Sequence, residues 1–243
     1  MKFMQRIYTV SLALSVLLCT DCAKDSCLHG SGPIVSKSLN IGDFNGFDLR
    51  GSFNVTLEKG MEQRVIASGQ ENIIDQLSLK INNGKWTIAL NDGCYIDYQL
   101  TIKIYSPSIE EFGTSGTGNI QLLNRLDSIV NLSVFNSGSG HIFCNDSLLI
   151  DDFLNIALSG SGNIALKGKT NTQNINLSGS GNYYAFGLIS EDCIISLPGS
   201  GNCEINAINN LDAFIGGSGN IYYTGNPVIS STITGSGGII NSN

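Results

Sequence analysis

Charge is scarce in this chain, and basic charge scarcest of all. Asp, Glu, Lys and Arg make up 14% of 243 residues, with 13 basic against 20 acidic side chains and a net charge of -7. A protein that grips nucleic acid needs a basic stripe to displace counterions from the phosphates, so the composition argues against nucleic acid as a partner. Only two histidines occur, His29 and His141, which leaves a histidine triad or a histidine-based metal cluster without material. No apolar run reaches the roughly 20 residues that carry a helix across a bilayer. Proline is limited to four residues. Beyond Cys22 there are five cysteines, Cys27, Cys94, Cys144, Cys193 and Cys203. Their odd number, irregular spacing and lack of a C-x-x-C pair describe no disulfide framework.

Glycine is what the chain has in excess. Its 29 residues are about 12% of the total against roughly 7% in average usage, while 42% of residues are apolar. That balance describes a folded, turn-rich protein.

The first 22 residues read as an export signal. Lys2 and Arg6 precede an uncharged apolar run, Ile7–Leu18, and Cys19-Thr20-Asp21-Cys22 follows. Cysteines directly after such a run resemble a bacterial lipoprotein signal. Cys22 is the expected lipidation site, because it leaves a short polar spacer after the run. The expected address is exported and lipid-anchored at the outer membrane or cell surface, with secretion or the periplasm as alternatives. The signal then covers residues 1–21, and the polar stretch 22–38 reads as a tether.

Residues 39–112 read as short strands in rough alternation: Phe44–Arg50, Phe53–Leu57, Arg64–Ser68, Leu77–Ile81, Trp86–Leu90 and Tyr98–Tyr105. Asn82-Asn83-Gly84-Lys85 is a hairpin signal, and Asn72–Leu77 could form one helical turn.

From residue 113 to 243 the chain repeats itself. Copies of S-G-S-G-N place their second glycine at Gly118, Gly140, Gly162, Gly181, Gly201, Gly219 and Gly237, with gaps of 18 to 22 residues. Such a period marks a solenoid whose repeats bury their apolar faces only by stacking. The expected fold is all-β: a right-handed parallel β-helix, continuous with the less regular strand-rich part before it. Two residues after each second glycine stand Ile120, Ile142, Ile164, Tyr183, Cys203, Ile221 and Ile239. Four before it stand Leu158, Leu177, Leu197, Ile215 and Ile233, with Thr114 and Asn136 interrupting in the first two coils. Even offsets put these on one inward face, so the first two coils should be the less regular ones. The glycines read as corner residues that need positive φ or leave no room for a side chain. Asn119, Asn163, Asn182, Asn202 and Asn220 follow them; asparagine tolerates the left-handed region and can bond coil to coil.

With Gly118-Asn119-Ile120, Gly162-Asn163-Ile164 and Gly219-Asn220-Ile221 in view, the chain resembles the bacterial head GIN domain family of autotransporter-type adhesin heads. The stretches Asp43–Gly60 and Ile104–Phe112 share in the resemblance, which covers roughly Asn40 to Val228. It implies a β-helix fold on exported lipoproteins of Bacteroides-like bacteria.

Catalytic candidates are thin. The repeats hold Arg125, Lys167 and Lys169 as their only basic residues, and Asp151-Asp152 and Glu191-Asp192 are strand neighbours that face opposite ways. No catalytic residue, metal site or cofactor is assigned. Three residues after the second glycine the side chains should point outward, giving Gln121, Phe143, Ala165, Tyr184, Glu204, Tyr222 and Ile240. Phe143, Tyr184 and Tyr222 form the candidate binding strip, a platform for a glycan or a surface protein. The expected function is a non-catalytic adhesion or recognition module. The alternatives are a carbohydrate-active enzyme on the same scaffold and a structural or envelope-signalling component.

Overall fold

A computed structural model describes residues 27–243. The apolar leader and Cys22 lie outside the described residues. From Glu111 the chain winds into a parallel β-solenoid of about seven turns that runs to Asn241.

Each coil pairs a long strand with a short one across the glycine corner. Leu126–Asn136 lies parallel to Leu148–Leu158, which lies parallel to Gly168–Leu177. The series continues through Tyr183–Leu197, Cys203–Ile215 and Val228–Ile233. Past the corner, Ile120, Ile142, Ile164, Tyr183, Cys203, Ile221 and Ile239 stack one over the next. This ladder and its partner Leu158–Leu177–Leu197–Ile215 are buried almost completely, apart from the half-buried Ile239. Each aliphatic side chain so buried contributes about 1.5–3 kcal/mol, which is what holds coils with few charges together. In the last coil the inward positions Ile229 and Ile233 are exposed.

The glycines answer to space. A Cβ on Gly140, Gly162, Gly181, Gly201, Gly219 or Gly237 would lie 1.8–2.0 Å from the carbonyl oxygen of the glycine one coil earlier. None of the repeat glycines, and none of the asparagines after them, has positive φ. The asparagines instead bond coil to coil. The Oδ1 atoms of Asn163, Asn182, Asn202 and Asn220 accept the N–H of Asn182, Asn202, Asn220 and Gly238 at 2.8–2.9 Å.

Thr114 and Asn136 do not loosen the first coils as expected. Both are fully buried, and Thr114, Asn136 and Leu158 pair in unbroken register. Asn136 Nδ2 donates to Gly140 O at 2.7 Å, and its Oδ1 accepts the N–H of Gly138 at 3.1 Å. The side chain thus closes its own corner. Register shifts fall elsewhere and in several coils, at residues 126–131, 149–153 and 184–192.

The solenoid also extends backwards into the strand-rich part, in an order the chain does not follow. Gly46–Leu49 and Asn54–Lys59 form a coil beneath Glu111–Thr114 and Ile120–Leu122. Beneath that coil lies a later one, Lys85–Ile88 with Leu100–Ser106. Residues 46–59 are therefore sandwiched between a coil that follows them by some forty residues and the repeats proper. The end of the stack is covered by Arg64–Gln70, antiparallel to Leu100–Ser106, then by Ile34–Ser38 and the short helix Glu71–Ile74. Phe47 and Phe112 stack inside at 5.7 Å, and the buried Trp86 donates to Ser78 O.

Three expectations need correcting. The stretch read as a tether contains regular structure: Leu28–His29 pairs with Tyr95–Ile96, and Ile34–Ser38 is a sheet strand. Its polar composition reflects an edge strand with one solvated face. Cys27 and Cys94 form a disulfide, a pairing that spacing could not reveal because it joins residues 67 apart. The expected strand Leu77–Ile81 shrinks to an isolated bridge, Leu77 to Leu90, and a two-residue strand, Ile81–Asn82. The hairpin at Asn83-Gly84 forms with φ of 50° and 73°.

Candidate functional site

The outward ladder is assembled in the order the repeat predicts. Gln121, Phe143, Ala165, Tyr184, Glu204, Tyr222 and Ile240 are successive register partners on one face. Tyr184 is 40% exposed, while Phe143 and Tyr222 are half-buried with part of each ring in solvent. Glu204 sits between the two tyrosines in register, and partial desolvation raises the pKa of its carboxyl. The strip is therefore aromatic and weakly acidic, set on strands rather than loops.

Directly beneath it the interior is unusual. Tyr183 takes the place of an isoleucine in the buried ladder, and its hydroxyl donates to Gln173 Oε1 at 2.8 Å. Gln173 Nε2 donates to Ser190 Oγ, which donates to the carbonyl of Asn206. Alternation already points Gln173 inward, two residues before Ile175, whereas Ser190 stands at an odd offset from its corner and is turned inward by the register shifts at 184–192. A tyrosine where the ladder calls for an aliphatic is the second signal.

The thiols are held unreactive by burial. Desolvation raises Cys144 to about 11 and drives Cys193 and Cys203 further up, with Tyr183 raised by the same cause. His29 is paired with Asp97 at 3.1 Å. His141 occupies an asparagine position, where its Nδ1 accepts the N–H of Asn163 at 3.1 Å and Asn119 Oδ1 accepts its own N–H at 2.8 Å. Asp192 accepts from Asn210, and Asp151 points to solvent. Among the described residues no three His, Cys, Asp or Glu side chains converge to hold a metal ion. A second outward face, missed in the sequence, exposes Ile194 and Phe214 at 51% and 41% around a shallow hollow of about 430 Å³.

Fold and surface together define a β-solenoid that presents flat, laddered faces. Residues 43–227 match the family described as "Putative auto-transporter adhesin, head GIN domain", and the chain belongs to that family. No curated protein is similar to it in sequence. Among solved structures, a "putative adhesin" from Bacteroides fragilis superposes with a TM-score of 0.80 at 23% identity, covering 88% of this chain and 100% of its own. A "putative lipid binding protein" from Parabacteroides distasonis superposes with 0.73 at 24% identity, covering 90% and 100%. A "putative adhesin" from Parabacteroides merdae gives 0.67 at 20% identity, again covering 90% and 100%. These likenesses establish the shared fold.

Proposed function

We propose that this protein is a non-catalytic recognition module of the cell envelope, exported, anchored through lipid on Cys22, and binding a glycan or surface protein with its outward aromatic strip. The observation that carries the reading is the register that lines up Phe143, Tyr184, Glu204 and Tyr222 on one rigid face. Half-buried tyrosines lose little side-chain freedom on contact and offer both ring and hydroxyl, the properties that enrich them in binding surfaces. A strip on strands is also preorganised, which lowers the ordering cost of association. Family membership supports an adhesion-type role.

The strip is tested by replacing Tyr184 and Tyr222 together with alanine and measuring adhesion of cells displaying the protein to glycan and matrix surfaces. Adhesion should fall at least about tenfold, since two platform residues at about 1 kcal/mol or more each are removed. Wild-type adhesion by the double variant would sink the reading. Labelling with a radioactive fatty acid tests the anchor: Cys22→Ser should abolish incorporation, and incorporation that persists would move the site elsewhere.

A further inference from the structure

One corner of the solenoid is not built like the others. In the coil of residues 46–59 the corner is the five-residue link Arg50-Gly51-Ser52-Phe53-Asn54 between Leu49 and Val55. In the coil beneath it, the partners of Leu49 and Val55 are Ile88 and Ile102, and everything from Ala89 to Thr101 is spent on the corner. Such an enlarged loop on a rigid scaffold is where binding residues concentrate. This one is held at its middle by the Cys27–Cys94 disulfide and by the pairing of Leu28–His29 with Tyr95–Ile96.

The loop raises a ridge with a hollow on each side. Tyr95 and Tyr98 stand edge to face at 6.5 Å, both half-buried. The Tyr95 hydroxyl donates to Asn91 O at 2.8 Å, and the Tyr98 hydroxyl lies 3.1 Å from Ser52 Oγ. Hollows of about 660 and 310 Å³ flank the pair, and Ser52 and Phe53 line both of them. The larger is lined chiefly by hydroxyl and amide groups, from Asn54, Gln70, Gln99 and Thr101, and by the carboxylate of Asp97. It contains no Lys or Arg. Asp97 has φ of 52°, a left-handed conformation that non-glycine residues hold at a cost, and its side chain is 77% exposed beside His29.

We propose that this hollow is a saccharide site, taking a neutral oligosaccharide with one sugar against the Tyr95–Tyr98 ridge and its hydroxyls on Asp97, Gln70 and Asn54. Sugar C–H faces pack on aromatic rings, and a carboxylate beside a ring accepts from neighbouring hydroxyls. A lining with an exposed carboxylate and no cation disfavours uronic or phosphorylated sugars. The site lies on the N-terminal coils, apart from the strip, and does not depend on it.

The test is titration of the protein with short fragments of mannan, β-glucan and galactan, followed by amide chemical shifts of residues 95–101. At least one neutral fragment should saturate. Asp97→Gly, which removes the carboxylate and suits the positive φ, should weaken that fragment about tenfold or more while leaving the melting temperature within a few degrees, one lost charge-assisted bond being worth about that much. Tyr95→Ala should weaken it similarly, and Tyr95→Phe, which keeps the ring, should bind nearly as wild type. Ser180→Ala, at an exposed corner position outside the hollow, should bind unchanged. The proposal is overturned by either of two results: no neutral fragment saturates with shifts at residues 95–101, or Asp97→Gly binds as wild type. Tighter binding of glucuronic- or galacturonic-acid fragments than of their neutral counterparts would overturn it as well.

Discussion

Leu177 and Ser180 stand three residues apart in one coil and meet opposite surroundings. Leu177 is fully buried between Leu158 and Leu197, whereas the Ser180 side chain is exposed. Leu177→Asp strands a carboxylate in the aliphatic ladder and removes its packing, so a loss of more than about 4 kcal/mol is expected. Ser180→Ala should shift stability by less than ~0.5 kcal/mol. Urea melts of the two variants check the inward and outward assignment, and equal damage from both would contradict it. The buried thiols and Tyr183 predict a pH dependence. Because burial raises their proton affinity in the fold above that in the unfolded chain, the folded state binds more protons at alkaline pH and loses stability as pH rises. The loss should begin above the ordinary thiol value of 9.0 and continue through about 11, where Cys144 titrates, with Cys193, Cys203 and Tyr183 extending it upward. Melting temperatures across that range give the slope, and a Cys193→Ala, Cys203→Ala double variant should flatten it.

At the scale of the element, the corner ladder is a run of side-chain acceptors, each serving the backbone of the next coil. His141 is the odd member. His141→Asn should keep the acceptor and leave the melt nearly unchanged, while His141→Ala should cost about 1 kcal/mol by leaving the Asn163 N–H without its partner. A melt in which asparagine is as harmful as alanine would show that imidazole packing, not the acceptor, matters there. This element was only partly legible in the sequence. The ladders of Ile and Leu follow from a period near 20 and an even offset, because burial imposes both. The coil at 46–59 carried the same signal in Gly51-Ser52-Phe53-Asn54-Val55, where Asn54 Oδ1 accepts from Asn119 at 3.0 Å, but phenylalanine in the second glycine position disguised it. Phe53 fits because the coil beneath has no tight corner to press on it. Left-handed asparagines were the wrong mechanism: stacking pressure, not backbone twist, selects glycine, and the amides face along the stack.

For the whole molecule, pairing partners separated by a fold reversal are the part no local pattern could disclose. Residues 85–106 lie on the far side of residues 46–59 from the repeats, an arrangement set by the antiparallel strand Arg64–Gln70 that carries the chain to the end of the stack. The candidate strip was legible because it rides on the repeat; the saccharide hollow was not, because its residues come from an insertion, a corner and a strand end. The disulfide has a mechanical consequence. Tension applied at the N-terminus reaches Cys27, crosses the sulfur–sulfur bond and re-enters the backbone at Cys94, so residues 28–93 form a closed loop that bears none of it. The load falls on the strand Leu100–Ser106, whose pairing on both sides must shear before the solenoid uncoils. Single-molecule pulling between the ends should release, under reducing conditions, about 230 Å of extra contour length compared with the oxidised protein, the reach of a 67-residue separation at ~3.4 Å per residue. Equal contour lengths in the two conditions would mean that the bridge does not carry the load. A chain pulled from its N-terminus would thereby keep the strands inside the loop, among them Ile34–Ser38 and Asn54–Lys59, off the load path, while Tyr95 and Tyr98, just past Cys94, lie on it.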